Sequence, residues 1–385
     1  MPNQSSGECS DDDQSGYGIR LDVGSVYDAV VFGGGPAGAA AALELTRRGA
    51  TVILLERSRY DLRRVGETLS PEAAGWLVRL GLGNAVPARH GLPSPGVVAA
   101  WDSDEPVETD FLFAARGHGW HVDRTRFDAD LVDAAEAAGA QVFRGARPRD
   151  FRRAGHGWRV NVEIGGRGVE LSARWLLDAT GRAGWLTRRL GVKPDLTDPL
   201  IAVVARFDHA IGPDRRLLVE AVLGGWWYLA PLPDARGVAV FLTDADLLRP
   251  EGAVSAWKRG LSASRLIHER LGEGRPAEVR VVAAGTRWTG TVAGPGWLAI
   301  GDSTLAHDPL TGSGVGQALA AGWEGAAAVA STDDGDADAI PEYQRSAEAK
   351  FGEYIRQCRA MYRRAARWPT DPFWSRRLAA GDHSV

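Results

Sequence analysis

Gly33, Gly35 and Gly38 form a Gly-x-Gly-x-x-Gly run between the apolar segment Asp28–Phe32 and an alanine-rich stretch that ends at Arg48. Glycines at this spacing allow a tight strand-to-helix turn, let backbone N–H groups approach a pyrophosphate, and bring helix close against strand. Pro36 and Ala37 suit the first helical turn, where a missing N–H costs nothing. Glu56 closes the next apolar run, Thr51–Leu55, with Arg57 behind it. A carboxylate there can accept the hydroxyls of an adenosine ribose and would repel a 2′-phosphate. Two more glycine motifs follow: Asp178 with Gly181 after a buried run, and Gly301-Asp302 with Pro309, Gly312, Gly314 and Val315 before a long Ala/Gly helix. A helix start offers free N–H groups and a partial positive charge to an anionic ligand. Side chains able to handle protons or an aromatic substrate are fewer. Glu67 can poise a proton, although a loop carboxylate is ordinarily solvated. His307-Asp308 precedes Pro309, and His307 reads either as a backbone-bonded loop histidine or as a proton carrier. Trp226-Trp227-Tyr228 forms an aromatic run. His118, His121 and His156 read as surface histidines, since no metal-ligand spacing appears and no metal is expected.

The elements that must position these groups follow from periodicity. Tyr27–Phe32, the helix to Arg48 and Thr51–Leu55 make a βαβ unit. Ser70-Pro71 caps a helix to about Leu80, and a second helix runs from about Phe127 to Ala138, with a strand-poor excursion between them. A small antiparallel sheet is expected over 141–177, and a β-rich segment over 200–245. Trp297–Ile300 reads as a buried strand, followed by a long helix after Gly314 and a C-terminal helix from Pro341 to about Arg367. In the β-rich segment strand alternation puts Trp226 and Tyr228 on one side and Trp227 on the other.

The chain has 385 residues, ample for two domains, with 44% hydrophobic and 24% charged residues. Net charge is -4, which excludes the basic footprint of a nucleic-acid binder. No run is long and apolar enough for a membrane span, no signal-peptide pattern opens the chain, and two cysteines give no disulfide framework. A cytoplasmic location is expected. Of 45 basic residues only Lys193, Lys258 and Lys350 are lysine.

Together the three glycine motifs resemble the fingerprints of the two-domain, glutathione-reductase-type FAD enzymes related to aromatic hydroxylases, geranylgeranyl reductases and flavin-dependent halogenases, over about residues 26 to 330. The resemblance implies an α/β fold: a FAD-binding Rossmann domain with an inserted β-rich substrate domain and C-terminal helices. It divides the chain into a disordered tail (1–25), FAD-binding parts (26–95, 121–182, 286–332), substrate-domain parts (96–120, 183–285) and a C-terminal helical region (333–385). It also implies that Asp302 binds a ribityl hydroxyl, and that Gly312, Gly314 and Val315 lie against pyrophosphate and flavin. Val65–Pro71, including Thr68, resembles the loop that halogenase-like flavoproteins place beside the flavin. Val122-Asp123-Arg124-x-x-Phe127-Asp128 resembles the segment in which an arginine faces the cofactor, and an ordinary salt-bridge or capping role for Arg124 stays open beside it. Trp226–Pro231 resembles the halogenase Trp-x-Trp-x-Ile-Pro motif in altered form, which directs Trp226 and Tyr228 toward the flavin. Arg367-Trp368-Pro369-x-x-Pro372-Phe373-Trp374 resembles the tail of flavoproteins that mature peptidyl tryptophan-derived quinone cofactors.

Halogenases of this family use a lysine shortly after the segment matching Val65–Pro71. This chain has no lysine before Lys193, and a guanidinium does not deprotonate to replace it. The expected activity is therefore FAD-dependent monooxygenation of an electron-rich aromatic substrate, a small molecule or a peptidyl tryptophan, using reduced flavin and O2. A reductase or dehydrogenase of geranylgeranyl-reductase type is the alternative. Electrons come from NAD(P)H or from a separate flavin reductase; the sequence does not choose.

Overall fold

The computed structural model describes residues 25–379 except 112–116, 197, 249–251, 273 and 366. The expected N-terminal tail lies outside the described residues but for its last position.

Val26–Phe32, apolar except for Asp28, is a strand at the centre of a sheet, and it runs parallel to Val52–Glu56 on one side and to Arg167–Asp178 on the other. Gln141–Arg144 and Trp297–Ala299 extend the parallel set outward. Being covered on both faces, these strands read as continuous apolar runs rather than alternating ones. Pro36–Arg47 follows the first strand as a helix and crosses Gly314–Asp333 so closely that a Cβ at Gly322 would stand 2.2 Å from the Ala37 carbonyl. The antiparallel segment expected over 141–177 is not a separate sheet. The strands Arg147–Ala154 and Gly157–Ile164 hairpin back along Arg167–Asp178, whose far end belongs to the parallel set.

The excursion between the helices Pro71–Arg79 and Arg124–Ala137 is strand-rich, contrary to expectation. Gly91–Ser94 and Gly119–Val122 form a small sheet with Thr68–Leu69, and Gly96–Ala100 and Val107–Asp110 add two strands to a second large sheet. Its Pro and Gly residues hid these strands, which are short and take their stability from partners far away in sequence. That seven-stranded sheet otherwise consists of Leu200–Phe207, Leu217–Val222, Gly225–Leu232, Arg236–Asp244 and Glu278–Ala283. Trp227 points to one face, stacked on Phe241 at 4.9 Å and edge-on to Trp257 of the helix Gly252–Ser262, with its indole N–H donated to the Gly260 carbonyl. Trp226 and Tyr228 share the opposite face, their rings 6.3 Å apart. The C-terminal region holds two helices, Ala339–Arg364, close to the one expected from Pro341, and Pro372–Ala379. No described helix is long and apolar enough to cross a membrane.

Candidate cofactor and substrate site

Two helix N-termini point into one region. Pro36–Arg47 begins at Gly35 and Gly314–Asp333 begins at Ser313, and neither has a side-chain cap. By contrast, Ser70 caps Pro71–Arg79 and Asp123 caps Arg124–Ala137. A Cβ at Gly33 would lie 2.3 Å from the Ala179 carbonyl and one at Gly38 would lie 1.9 Å from that of Gly33, so both glycines are demanded by packing. A Cβ at Gly35 or Gly314 would meet nothing within 4 Å. Uncapped N–H groups beside open space make a cradle able to take up an anionic group. Gly301, at φ +62°, brings the third motif against Ala37, and Gly312, at φ +61°, turns the chain into the second helix.

Glu56 is buried at its strand end. One oxygen accepts from the Gly34 N–H at 2.7 Å, and the other accepts from the Ser58 N–H and hydroxyl and from Arg64. It therefore shapes the glycine loop. We expect Glu56→Ala to weaken FAD retention by roughly ten- to a hundredfold, the worth of a charge-assisted hydrogen bond. Equilibrium dialysis of the cofactor gives the number, and unchanged affinity would exclude Glu56 from the site. Arg57 is exposed beside it.

Asp178 corrects an expectation. Its fully buried carboxylate accepts from six donors of its own chain: the N–H and hydroxyl of Thr180, the N–H of Leu186, the N–H and hydroxyl of Thr187, and the Ser303 hydroxyl. With its lone pairs so engaged it has none to offer a ligand. It positions Gly181 and the Gly301–Ser303 turn instead. Asp302 has no side-chain hydrogen bond among the described residues and borders a cavity of about 320 Å³ together with His307, Thr311, Ser313, Lys350 and Tyr354. Burial holds the His307 imidazole below its ordinary value, so it is neutral. Its Nδ1 has no hydrogen-bond partner among the described residues, and its ring meets Tyr354 edge-on.

Glu67 is not solvated. It is 2% exposed, bonded through one oxygen to Arg206 Nη2 at 2.6 Å and through the other to the Gly66 N–H. Arg124 opens its helix, pairs with Asp128, and donates to the carbonyls of Val65 and Gly66. The salt-bridge role left open for Arg124 is thus realised, and the loop Arg64–Leu69 is clamped from both sides. Tyr228 stands over this clamp: burial pushes its phenol well up, with the Glu67 carboxylate adding to the effect and Arg206 and Arg124 opposing it. Thr68 hydrogen-bonds His121, which is wholly buried rather than on the surface and also contacts the Arg215 carbonyl.

Two further candidates are enclosed by packing. Trp226 is 1% exposed and packed by Trp101 and Tyr362. Asp308 is fully buried, caps the turn Pro309–Thr311 through the Leu310 N–H, and accepts from the Tyr362 hydroxyl at 2.6 Å. Both are enclosed by the C-terminal helices, which local sequence could not place. Arg206 was overlooked, although an arginine inside the apolar run Leu200–Phe207 signals a buried charge that must find a partner.

His121 and Asp308 make opposing contributions to pH stability. Burial lowers the His121 imidazole to about 4 and raises the Asp308 carboxyl to about 6. The unfolded chain binds the histidine proton more tightly, so that stability is lost as pH falls from about 6.5 to about 4. The folded chain binds the aspartate proton more tightly, so that stability is lost as pH rises from about 4 to about 6. Each amounts to roughly 3 kcal/mol. Asp308→Asn removes the second and should leave a chain that loses roughly 3 kcal/mol more than the parent between pH 6.5 and 4. Urea unfolding at both pH values measures it; parallel slopes would refute the assignment.

Residues 26–241 match the family model described as FAD binding domain. The chain belongs to that family. It is an FAD-dependent oxidoreductase, and the matched span includes Gly33, Gly35 and Gly38. The flavoenzyme is 30% identical over 363 residues to the putative FAD-dependent oxidoreductase LodB of Marinomonas mediterranea, covering 92% of this chain and 97% of LodB. Among solved structures it superposes on the flavin-dependent halogenase CmlS with TM-score 0.83 and 25% identity, covering 92% of this chain and 68% of CmlS. It also superposes on QhpG, a peptidyl tryptophan dihydroxylase essential for tryptophylquinone cofactor biogenesis, with TM-score 0.78 and 26% identity, covering 94% and 80%.

Proposed function

We propose that this flavoenzyme is a monooxygenase that hydroxylates an electron-rich aromatic ring, with a tryptophan side chain in a peptide as the favoured substrate class. The observation that carries this reading is the absence of a lysine at the flavin-side loop. Lys193 and Lys258 are exposed, and Lys350, on the cavity bordered by Asp302 and His307, is bonded to Glu324 rather than placed at the Glu67 loop. The wall formed by Glu67, Arg206 and Tyr228 therefore lacks the amine on which the related halogenases depend. The likeness to QhpG across most of both chains supports a peptidyl substrate.

The cradle residues fit FAD: Gly33, Gly35, Gly38 and Gly314 admit the pyrophosphate, Glu56 the ribose, and Asp302 the ribityl chain. When bound and reduced, FAD supplies the reaction with O2 that a protein side chain cannot perform. The protein's own residues orient and exclude. Arg124 and Arg206 fix the loop that borders the flavin, so Glu67 acts as a positioning residue rather than a mobile acid. Tyr228 keeps its proton and presents a neutral hydroxyl and an apolar face. His307, neutral and with an Nδ1 that has no hydrogen-bond partner among the described residues, is a group able to accept a proton near the third motif.

The test is oxygen labelling. Protein carrying FAD, given a chemical reductant, 18O2 and a tryptophan-containing peptide or free indole, should yield a product carrying 18O from the gas. A halogenated product in the presence of bromide, or an unlabelled dehydrogenated one, would overturn the reading.

A further inference from the structure

Asp308 and Tyr362 form a buried pair that the hydroxylation reading does not use. The phenol donates to the carboxylate at 2.6 Å, and the Trp226 indole N–H donates to the same phenol oxygen at 3.2 Å. Burying a carboxylate is costly, and a cluster needed only for packing would be served as well by apolar side chains. Around the pair the rings are closely spaced. Tyr228 lies 6.3 Å from Trp226, Trp226 lies 5.8 Å from Trp101, Trp101 lies 5.7 Å from Trp374, and Trp374 lies 5.7 Å from Trp368. Tyr362 is 6.2 Å from both Trp101 and Trp374. Trp368 is half-buried, so the series runs from the Glu67 wall to the protein surface. The remaining charged or titratable groups near the pair are Arg377, which spans the Tyr362 ring and bonds Asp244, together with Asp198, Tyr354 and Cys358.

We propose that Tyr362 is a redox-active tyrosine with Asp308 as its proton acceptor, and that Tyr228, Trp226, Trp101, Trp374 and Trp368 are an electron relay linking it to the substrate wall and to the surface. Its use is protective. An oxygen-centred radical formed by stray reaction of O2 takes one electron from the Tyr228 end and one proton from solvent. The vacancy then passes along the rings to Tyr362. There the phenol loses an electron, its O–H bond breaks, and the proton moves to Asp308, leaving a neutral phenoxyl radical and a neutral carboxylic acid. The carboxyl titrates at about 6, so above neutrality it is ionised and ready to accept. Only the protective use rests on the oxygenase reading; the radical chemistry does not.

The experiment therefore uses no O2. Full-length protein carrying FAD is exposed above neutrality to tris(bipyridine)ruthenium(III) generated by flash and quench, and the trapped radical is read by electron paramagnetic resonance. Each ruthenium(III) becomes ruthenium(II) as one tyrosine is oxidised. A tyrosyl signal is expected, lost in Tyr362→Phe in favour of a tryptophan-type radical, and reduced to a minor fraction in Asp308→Asn and in Trp374→Phe. Circular dichroism and bound-flavin absorbance check that the variants fold. Ring-deuterated tyrosine should narrow the wild-type signal, which identifies the residue type without any substitution. A wild-type signal that does not narrow, a tyrosyl signal of unchanged intensity in Tyr362→Phe, or an unchanged yield in Trp374→Phe overturns the proposal. Failure of the labelling experiment above would leave these outcomes unaffected.

Discussion

Trp374→Ala should lower the unfolding free energy by roughly 3–5 kcal/mol, the range for deleting a buried large aromatic side chain. Trp374 is completely buried although it lies near the end of the chain. Its indole N–H is donated to the Val222 carbonyl at 2.9 Å, and its ring meets Trp101, Tyr362, Trp368 and Phe373. The helix that carries it is further latched by Arg377, bonded to the buried Asp244 and stacked 3.8 Å over Phe373. Alanine would open a cavity bounded by rigid rings that cannot collapse into it, and would leave the Val222 carbonyl without its partner. Trp374→Phe keeps most of the volume and should cost far less. The midpoint of urea unfolding measures both. Equal, small losses for the two variants would mean that the C-terminal helix is only loosely applied to the sheet.

That helix also shows where sequence reading stops. The glycine motifs were legible because each acts within a few residues of itself: a turn, a helix start and a strand end are all local. The alternation of Trp226, Trp227 and Tyr228 was legible for the same reason. What lies opposite a strand face is not local. Trp226 shares its face with Tyr228 as strand geometry requires, but that face is filled by Tyr362 and, through Trp101, by Trp374, well over a hundred residues later. Asp178 was misread for a related reason. Its motif is local, but whether a carboxylate serves a ligand or its own chain depends on how many N–H and hydroxyl groups fold back onto it, and here Thr187 and Ser303 complete the set. Glu67 does lie in a loop, and it read as solvated because its partner, Arg206, comes from a strand of the seven-stranded sheet far along the chain.

Glu67 and Arg206 should behave as one unit. Glu67→Leu leaves a guanidinium that is 5% exposed, with an Nε already lacking any hydrogen-bond partner among the described residues and with the Arg64 carbonyl as its remaining contact. An unpaired buried charge of this kind costs roughly 3–5 kcal/mol. Arg206→Met should cost a similar amount, because among the described residues Glu67 then keeps only the Gly66 N–H. The double variant should recover much of the loss, since a buried ion pair can be replaced by apolar side chains of similar size at little net cost. Stability and cofactor affinity then separate. In the double variant the loop Arg64–Leu69 keeps the Arg124 bonds but loses the Arg206 clamp, so the chain should fold while holding the flavin more weakly and less rigidly. Unfolding free energies of the four proteins close a double-mutant cycle, and flavin fluorescence anisotropy reads the rigidity. Additive single losses would show that the pair is not coupled, and undiminished anisotropy in a folded double variant would show that the clamp does not act on the flavin.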